Sequence, residues 1–435
     1  MNAPCLLQKT GEIFIPDEGE YIVATIRPFQ AFRPRKDKVE KIAALPYDVY
    51  DREEARKVVQ KNPESFLCID RADTQFGEEV DPYASCIYQK ARELMEQRIA
   101  AGDFVQENMA CYYLYELTMH GRSQTGIVAC ASIDDYHDNI IKKHENTRKE
   151  KEQDRICHVD ALSMQTGPIF LAYRKQDAIE QIVAQEKKET PLYDFVADDG
   201  VRHRVFRITK KAWIQKIRQT FEGIHEIYIA DGHHRAASAV HVGDARRRKY
   251  PDYDGSEEFN YFLAVLFPED ELYIMDYNRV VKDLNGDTPQ QFLEKVKTVF
   301  DVKKLGSQEA VPKKKGEIGM FLQDTWYLLK IREAERSNDV VAGLDVSVLQ
   351  DKLLKPVLGI ENPKMDTRID FVGGIRGLGE LVRRVQTDCC VAFAMYPTSS
   401  RELFEVADAG RLMPPKSTWF EPKLRSGLFL HQIER

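Results

Sequence analysis

The sequence has no cysteines at CxxC spacing, and its one vicinal pair, Cys389-Cys390, sits in an apolar run that reads as strand core. Its eight cysteines are otherwise scattered. A zinc ribbon, an Fe–S cluster or a dithiol redox pair needs thiols at such spacing, so none is expected. The motifs GxxxxGK[ST], GxSxG and HExxH are absent, as is a GxGxxG between a strand and a helix. That removes the P-loop, serine-hydrolase, zincin and dinucleotide readings that rest on those motifs. No apolar run approaches the ~18 to 20 residues of a membrane helix. The best, around Cys389 to Met395, ends at Tyr396-Pro397. The stretch MNAPCLLQKTGEIF lacks the basic region and apolar core of a secretory signal. Positive charge is not in excess either: 63 Lys and Arg against 70 Asp and Glu give −7. A nucleic-acid or anionic-membrane binder is expected to be basic on at least one face. These absences predict a cytoplasmic protein with reduced thiols and without membrane or nucleic-acid partners. A homo-oligomer is left open.

What is present is an ordinary globular balance over 435 residues, 43% hydrophobic and 31% charged. That length predicts two or three domains. Tyr21 to Ile26 reads as a buried strand, and Asp51 as the cap of a helix over Arg52 to Lys61. Pro82 to Ala101 reads as a second helix. Cys111 to Met119 and Gly126 to Ile133 read as a hairpin. Asn139 to Leu162 is long and charged and can be helical throughout. His225 to Ile229 is strand-like, and a helix follows from Arg235 to Arg248. Beyond Asn278 the texture changes, with a lysine-rich polar stretch from Lys303 to Lys315. Residues 1–280 are therefore predicted as one body and 281–435 as a second region.

Four constellations could carry chemistry. In the first, Asp231-Gly232-His233-His234-Arg235 turns a strand into a helix. Helix N-terminal N–H groups, a glycine that permits close approach and three side-chain donors suit a phosphate. The competing reading is a capping Asp with two surface histidines; zinc is weaker, because adjacent histidines rarely share one ion. In the second, His144, Thr147, Lys151, Asp154 and Arg155 would share a face of the 139–162 helix, with Glu145 and Arg148 beside them. The face offers an acid or base with cations, or merely a solvated surface. In the third, Arg27 precedes Pro28, and Asp48 follows Leu45-Pro46-Tyr47 on a proline-fixed turn. That carboxylate could orient a hydroxyl or hold Mg²⁺, or could be turn chemistry. In the fourth, Pro414-Pro415 presents Lys416, Ser417 and Thr418, and the later Trp419, Phe420, Leu428 and Phe429 argue that this tail docks on the body.

The run YIADGHHRAASA (Tyr228 to Ala239) resembles the DGHHR phosphate box of the ParB/sulfiredoxin-like superfamily. The wider set IRPFQAFRP, ALPYDVYDREEAR, NPESFL, KHENTRKEKEQDR, YNRVVKDL and MPPKSTWFEPKLRSGLF is similar to the domain-of-unknown-function family numbered 1015. The resemblance implies an α+β fold: a ParB/sulfiredoxin-like mixed N-terminal body, with an α+β C-terminal region packed back on it. It implies ADP or ATP with Mg²⁺ as cofactor. It also implies that Asp231 to Arg235 cradle nucleotide phosphates; Arg27, Arg148, Lys151, Lys416, Ser417 and Thr418 are expected as further contacts from their own charge and hydroxyl chemistry. A carboxylate base is expected, with Asp48 and Glu145 as candidates and His144 beside them. His233 stands where sulfiredoxins carry their reactive cysteine, which argues against sulfinic-acid repair. The expected activity is a phosphotransferase acting on a small hydroxylated metabolite, free L-serine or O-phosphoserine first. A nucleotide-dependent regulatory clamp and a phosphohydrolase are the alternatives.

Overall fold

The strands Tyr112–Met119 and Arg122–Ser132 form a hairpin closed by His120-Gly121, both at positive φ (51° and 79°). Such a two-residue turn matches the twist of the strands it joins. Both strands are buried on both faces, so their side chains alternate between two cores. Tyr112 and Leu114 enter one core with helix residues Ile179, Ile217, Phe221 and Ala236. Tyr113 and Tyr115 enter the other, which is continuous with Val281, Phe292 and Ile318. This strand pair is thus the partition around which the α+β architecture is layered. The computed structural model describes residues 23–434. Of the strand expected at Tyr21 to Ile26, Tyr21 and Ile22 lie outside the described residues, Val23 to Thr25 are not in a strand, and the strand found is Ile26–Arg27.

The first sheet is mixed and nine-stranded. Its order is 141–142, 227–231, 169–173, 261–268, 122–132, 112–119, 202–208 and 193–196, with 26–27 added to 122–132. The second sheet is antiparallel and six-stranded, in the order 300–306, 325–331, 317–322, 391–394, 277–281 and 369–373. One expectation meets the strand order directly. A division at residue 280 would cut the strand Tyr277–Val281. The lysine-rich polar stretch begins inside a strand, Phe300–Gly306, which is paired with Thr325–Ile331. It lies at the sheet edge, where lysines can reach water, and that hides its alternation.

Asn139 to Leu162 is not one helix. Ile141–Lys142 pairs with Ile227–Tyr228, and only Lys149–Leu162 is helical. His144 and Thr147 therefore share no helix face with Lys151.

The C-terminal tail leaves the second sheet and threads back through the first body. Trp419–Phe420 pairs with Ile274–Met275, Ser426 exchanges backbone bonds with Ala44, and Leu430 exchanges them with Phe32. Arg425 is buried, bonded to Asp199 at 2.5 Å and to His203 at 3.2 Å. Gly427 has φ +75°, and a Cβ there would lie 2.3 Å from Cγ of Phe66. Gly427→Ala is therefore expected to destabilise the protein by about 2 kcal/mol or more. Thermal unfolding checks this, and an unchanged Tm would mean the tail is not seated as described.

Candidate functional site

The strand Ile227–Asp231 ends at the turn and the helix His233–Lys249 starts immediately after it. Gly232 is the N-cap, with φ 95° and ψ 32°. A side chain there would be strained, and its Cβ would stand 3.0 Å from Nε of Arg235. The Arg235 guanidinium folds back over Gly232 and donates to the Pro168 carbonyl at 2.5 Å. Asp231 lies 3.7 Å from Arg235 and 3.5 Å from Lys423. Burial opposes its charge, but Lys423 and Arg235 overcome that and hold its carboxyl well below the ordinary range.

The two histidines do something the sequence did not suggest. His233 Nε2 accepts the backbone N–H of His144 at 3.5 Å, and His234 Nε2 accepts that of Arg148 at 2.9 Å. An imidazole can accept only on a bare nitrogen, so both rings are neutral with the proton on Nδ1. Burial pushes His233 down to about 3 and also lowers His234, where Lys151 adds to the effect. The histidines therefore bind a loop, and the loop supplies the charges. Capture of those two N–H groups keeps residues 143–148 out of the helix. Met413 N–H closes the loop's other side by donating to the His144 carbonyl at 2.8 Å. The buried His144 ring packs edge-on against His233, with centroids 4.5 Å apart.

Asp48 is held on its turn from several directions. Asp51 and Glu54 form a reciprocal capping box at the start of the next helix. Arg71, oriented by Asp73, donates to the carbonyls of Tyr47 and Tyr50 at 3.3 and 2.9 Å. The Arg155 guanidinium sits 4.0 Å from the Tyr47 ring centroid.

These pieces line one cleft of about 330 Å³. Asp48, Glu145, Arg148, Lys151, all five residues from Asp231 to Arg235, and Lys416 face it. A second lobe of about 220 Å³ shares Tyr47, Asp48 and Lys151 with it and is otherwise lined by residues such as Tyr50, Arg52, Arg71, Tyr88 and Asp154. Among the described residues, Arg148, Lys151 and Lys416 form no ion pair with a carboxylate, and the Asp48 side chain makes no hydrogen bond or ion pair, although its charge acts on Lys151 and Lys416. Burial, then Arg148, lowers the Lys151 ammonium. Burial also opposes charge on Lys416, but Tyr277, Glu145 and Asp48 more than offset it. Cations held together and left without ion pairs, even though carboxylates also line the cleft, favour binding of an anion. Glu145 lies 3.8 Å from Nδ1 of His233. No group of three or more His, Cys, Asp or Glu among the described residues could enclose a metal ion.

Four expected residues stand elsewhere. Arg27 does not line the cleft: it is ion-paired to Glu258 at 2.6 Å, donates to the Ser256 carbonyl and stacks on Tyr261. Ser417 is buried and donates to the Pro414 carbonyl at 2.6 Å, so it shapes the turn that presents Lys416. Thr418 is not among the lining residues. His144 is too deeply buried to meet a ligand, and desolvation pushes it down to about 3. Sequence reasoning missed Tyr47, Asn146, Pro363, Lys364, Asp366, Ile369, Phe371 and Pro415, all of which line the cleft. The alternation of Ile369 and Phe371 on a strand was the available signal.

The fold and site define an α+β protein with an anion-receptive cleft between two sheets. Residues 26–347 match the family described as Protein of unknown function (DUF1015), and the chain belongs to that family. No curated protein matches the chain. Among solved structures, a free serine kinase variant in complex with ADP is 14% identical, with a TM-score of 0.33, over 68% of this chain and 87% of that one. SbnI with a C-terminal truncation, from Staphylococcus aureus, is 11% identical, with a TM-score of 0.36, over 68% and 82%. A conserved hypothetical protein from Pyrococcus furiosus is 13% identical, with a TM-score of 0.31, over 69% and 93%. Likeness at that level decides nothing about the site. No helix among the described residues is long and apolar enough to cross a membrane.

The buried histidines carry a pH signature. The His233 imidazole has an ordinary value of 6.5 and is held at about 3 in the fold. The unfolded chain then binds the extra proton over that window, so stability rises with pH across it. The stabilisation His233 gives is complete above about 6.5 and is lost as pH falls towards 3. The wild type should therefore lose its stability advantage over His233→Gln as the pH is lowered. Paired denaturation curves from pH 7.5 to 4 test this, and a constant difference would contradict it.

Proposed function

We propose that the protein is a nucleotide-dependent phosphotransferase acting on the hydroxyl of a small metabolite, with free L-serine as the leading acceptor. One observation carries the reading. Arg148, Lys151 and Lys416 face the helix-terminal turn in one cleft without acid partners, and Asp48 stands where both lobes meet. Phosphoryl transfer requires charge stabilisation and alignment rather than a covalent nucleophile. The cations and the Gly232–His234 backbone hold the phosphates. The acceptor enters the second lobe, whose volume of about 220 Å³ suits a small molecule. Asp48 takes the hydroxyl proton as that oxygen bonds to the terminal phosphorus, and the bond from phosphorus to the leaving nucleotide oxygen breaks. In the reverse direction the phosphoester returns its phosphoryl group to the nucleotide. Glu145, beside Nδ1 of His233, orients the loop and is the carboxylate available to a cation carried by the phosphates. Magnesium supplies charge neutralisation when bound. The residues suit an ion that arrives on the nucleotide, since no protein cage is present among the described residues.

Incubation with serine, Mg²⁺ and either ATP or ADP, in both directions with O-phosphoserine, tests the reading. Turnover is expected, and Asp48→Asn should reduce kcat by about 10² to 10⁴-fold while nucleotide still binds. Absence of turnover with either nucleotide would sink the serine assignment. Phosphate release from a phosphoester without nucleotide would favour a phosphohydrolase instead.

A further inference from the structure

We infer that the edge strand Ile369–Gly373 and the turn before it form the seat for a planar heteroaromatic base, the end of the nucleotide remote from its phosphates. This rests on the nucleotide reading above and deepens it. The cleft is charged where the first sheet and the tail lysine line it. The wall formed by residues 363–371 and Pro415 carries the charged Lys364 and Asp366, and beside them an apolar strip of Pro363, Ile369, Phe371 and Pro415. A ligand that satisfies both parts must be anionic at one end and flat and apolar at the other.

The strip is built rather than incidental. Ile369 and Phe371 are two residues apart on one strand, so they share a face. Asp370 between them turns the other way, to Arg384 at 2.8 Å. Among the described residues the strand pairs only with Tyr277–Val281, so its outer backbone edge has no strand partner there; the Phe371 N–H on it is taken by the Asp370 carboxylate at 2.7 Å, and the remaining edge groups can meet a base edge. The Phe371 ring is fixed from behind. Tyr277 meets it edge-on at 5.9 Å, and the guanidinium of buried Arg279 lies 5.5 Å from its centroid. Arg279 is itself held by the carbonyls of Tyr277 and Lys416, so the ring platform and the lysine turn share one anchor. A ring immobilised in advance loses little freedom when a base stacks on it. All of these wall residues lie beyond the part matched by the family, residues 26–347.

The experiment compares ADP with inorganic pyrophosphate, by calorimetry on the full chain. Phe371→Ala should weaken ADP about 10- to 100-fold, the usual worth of a base–aromatic stack, and leave pyrophosphate unchanged. Phe371→Trp should restore ADP binding, with indole emission that responds to ADP and not to pyrophosphate. Unchanged ADP affinity in Phe371→Ala, or equal losses for both probes, would overturn the base seat while leaving the phosphate site standing. Failure of the wild type to bind either probe would instead overturn the nucleotide reading on which the seat rests.

Discussion

Two bare imidazole nitrogens at the head of one helix each receive a backbone N–H from the same loop, and the cleft is assembled on that contact. His233 takes the N–H of His144 and His234 that of Arg148. The price is two neutral, largely buried rings, and burial itself keeps them neutral. In return residues 143–148 are pinned across the helix N-terminus, where they bring Glu145 and Arg148 into the cleft and set the start of the Lys149–Leu162 helix that carries Lys151. Gly232 makes the arrangement fit, because only a residue without a side chain leaves room for Arg235 to fold back.

The remaining parts come from far along the chain and depend on the tail. After the second sheet, the tail crosses to the first and is sealed there by paired strands and by buried Arg425. On the way, Met413 N–H closes the loop of His144, and the turn at Pro414 to Ser417 presents Lys416. Arg279 ties that turn to the second sheet through the Lys416 carbonyl. Cations from two separate segments, the loop–helix junction at Arg148 to Lys151 and the tail at Lys416, therefore converge without being ion-paired, although Asp48, Glu145, Asp231 and Asp366 also line the cleft. The −7 net charge is compatible with an anion site because charge is partitioned in space.

What could be read from the sequence was local. The strand–turn–helix at Asp231 to Arg235, the capped helix after Asp51 and the hairpin at 112–132 depend on neighbours in the chain, and each formed near its expected place. The helix over 139–162 failed at its first half because side chains from residues 233 and 234 capture the backbone there, and propensity carries no record of that. Arg27 looked as available as Arg148; only the fold brings Glu258 and Tyr261 to it. The wall at Pro363 to Phe371 showed only the alternation of Ile369 and Phe371, because an edge strand becomes a cleft wall only once a second sheet is packed against the first. His233 and His234 were read as phosphate donors from their position, whereas their tautomers follow from a loop 86 to 89 residues away in sequence.

The central claim is that these two histidines are neutral structural acceptors and that the phosphate charge is met by Arg148, Lys151 and Lys416. Nitrogen-15 spectra of histidine-labelled protein test it most directly, with His233→Gln and His234→Gln used for assignment. Both rings should report the neutral form protonated at Nδ1 at pH 7, and should keep it when ADP saturates the cleft. Conversion of either ring to imidazolium on ADP binding, or protonation at Nε2 in the free protein, would contradict the account.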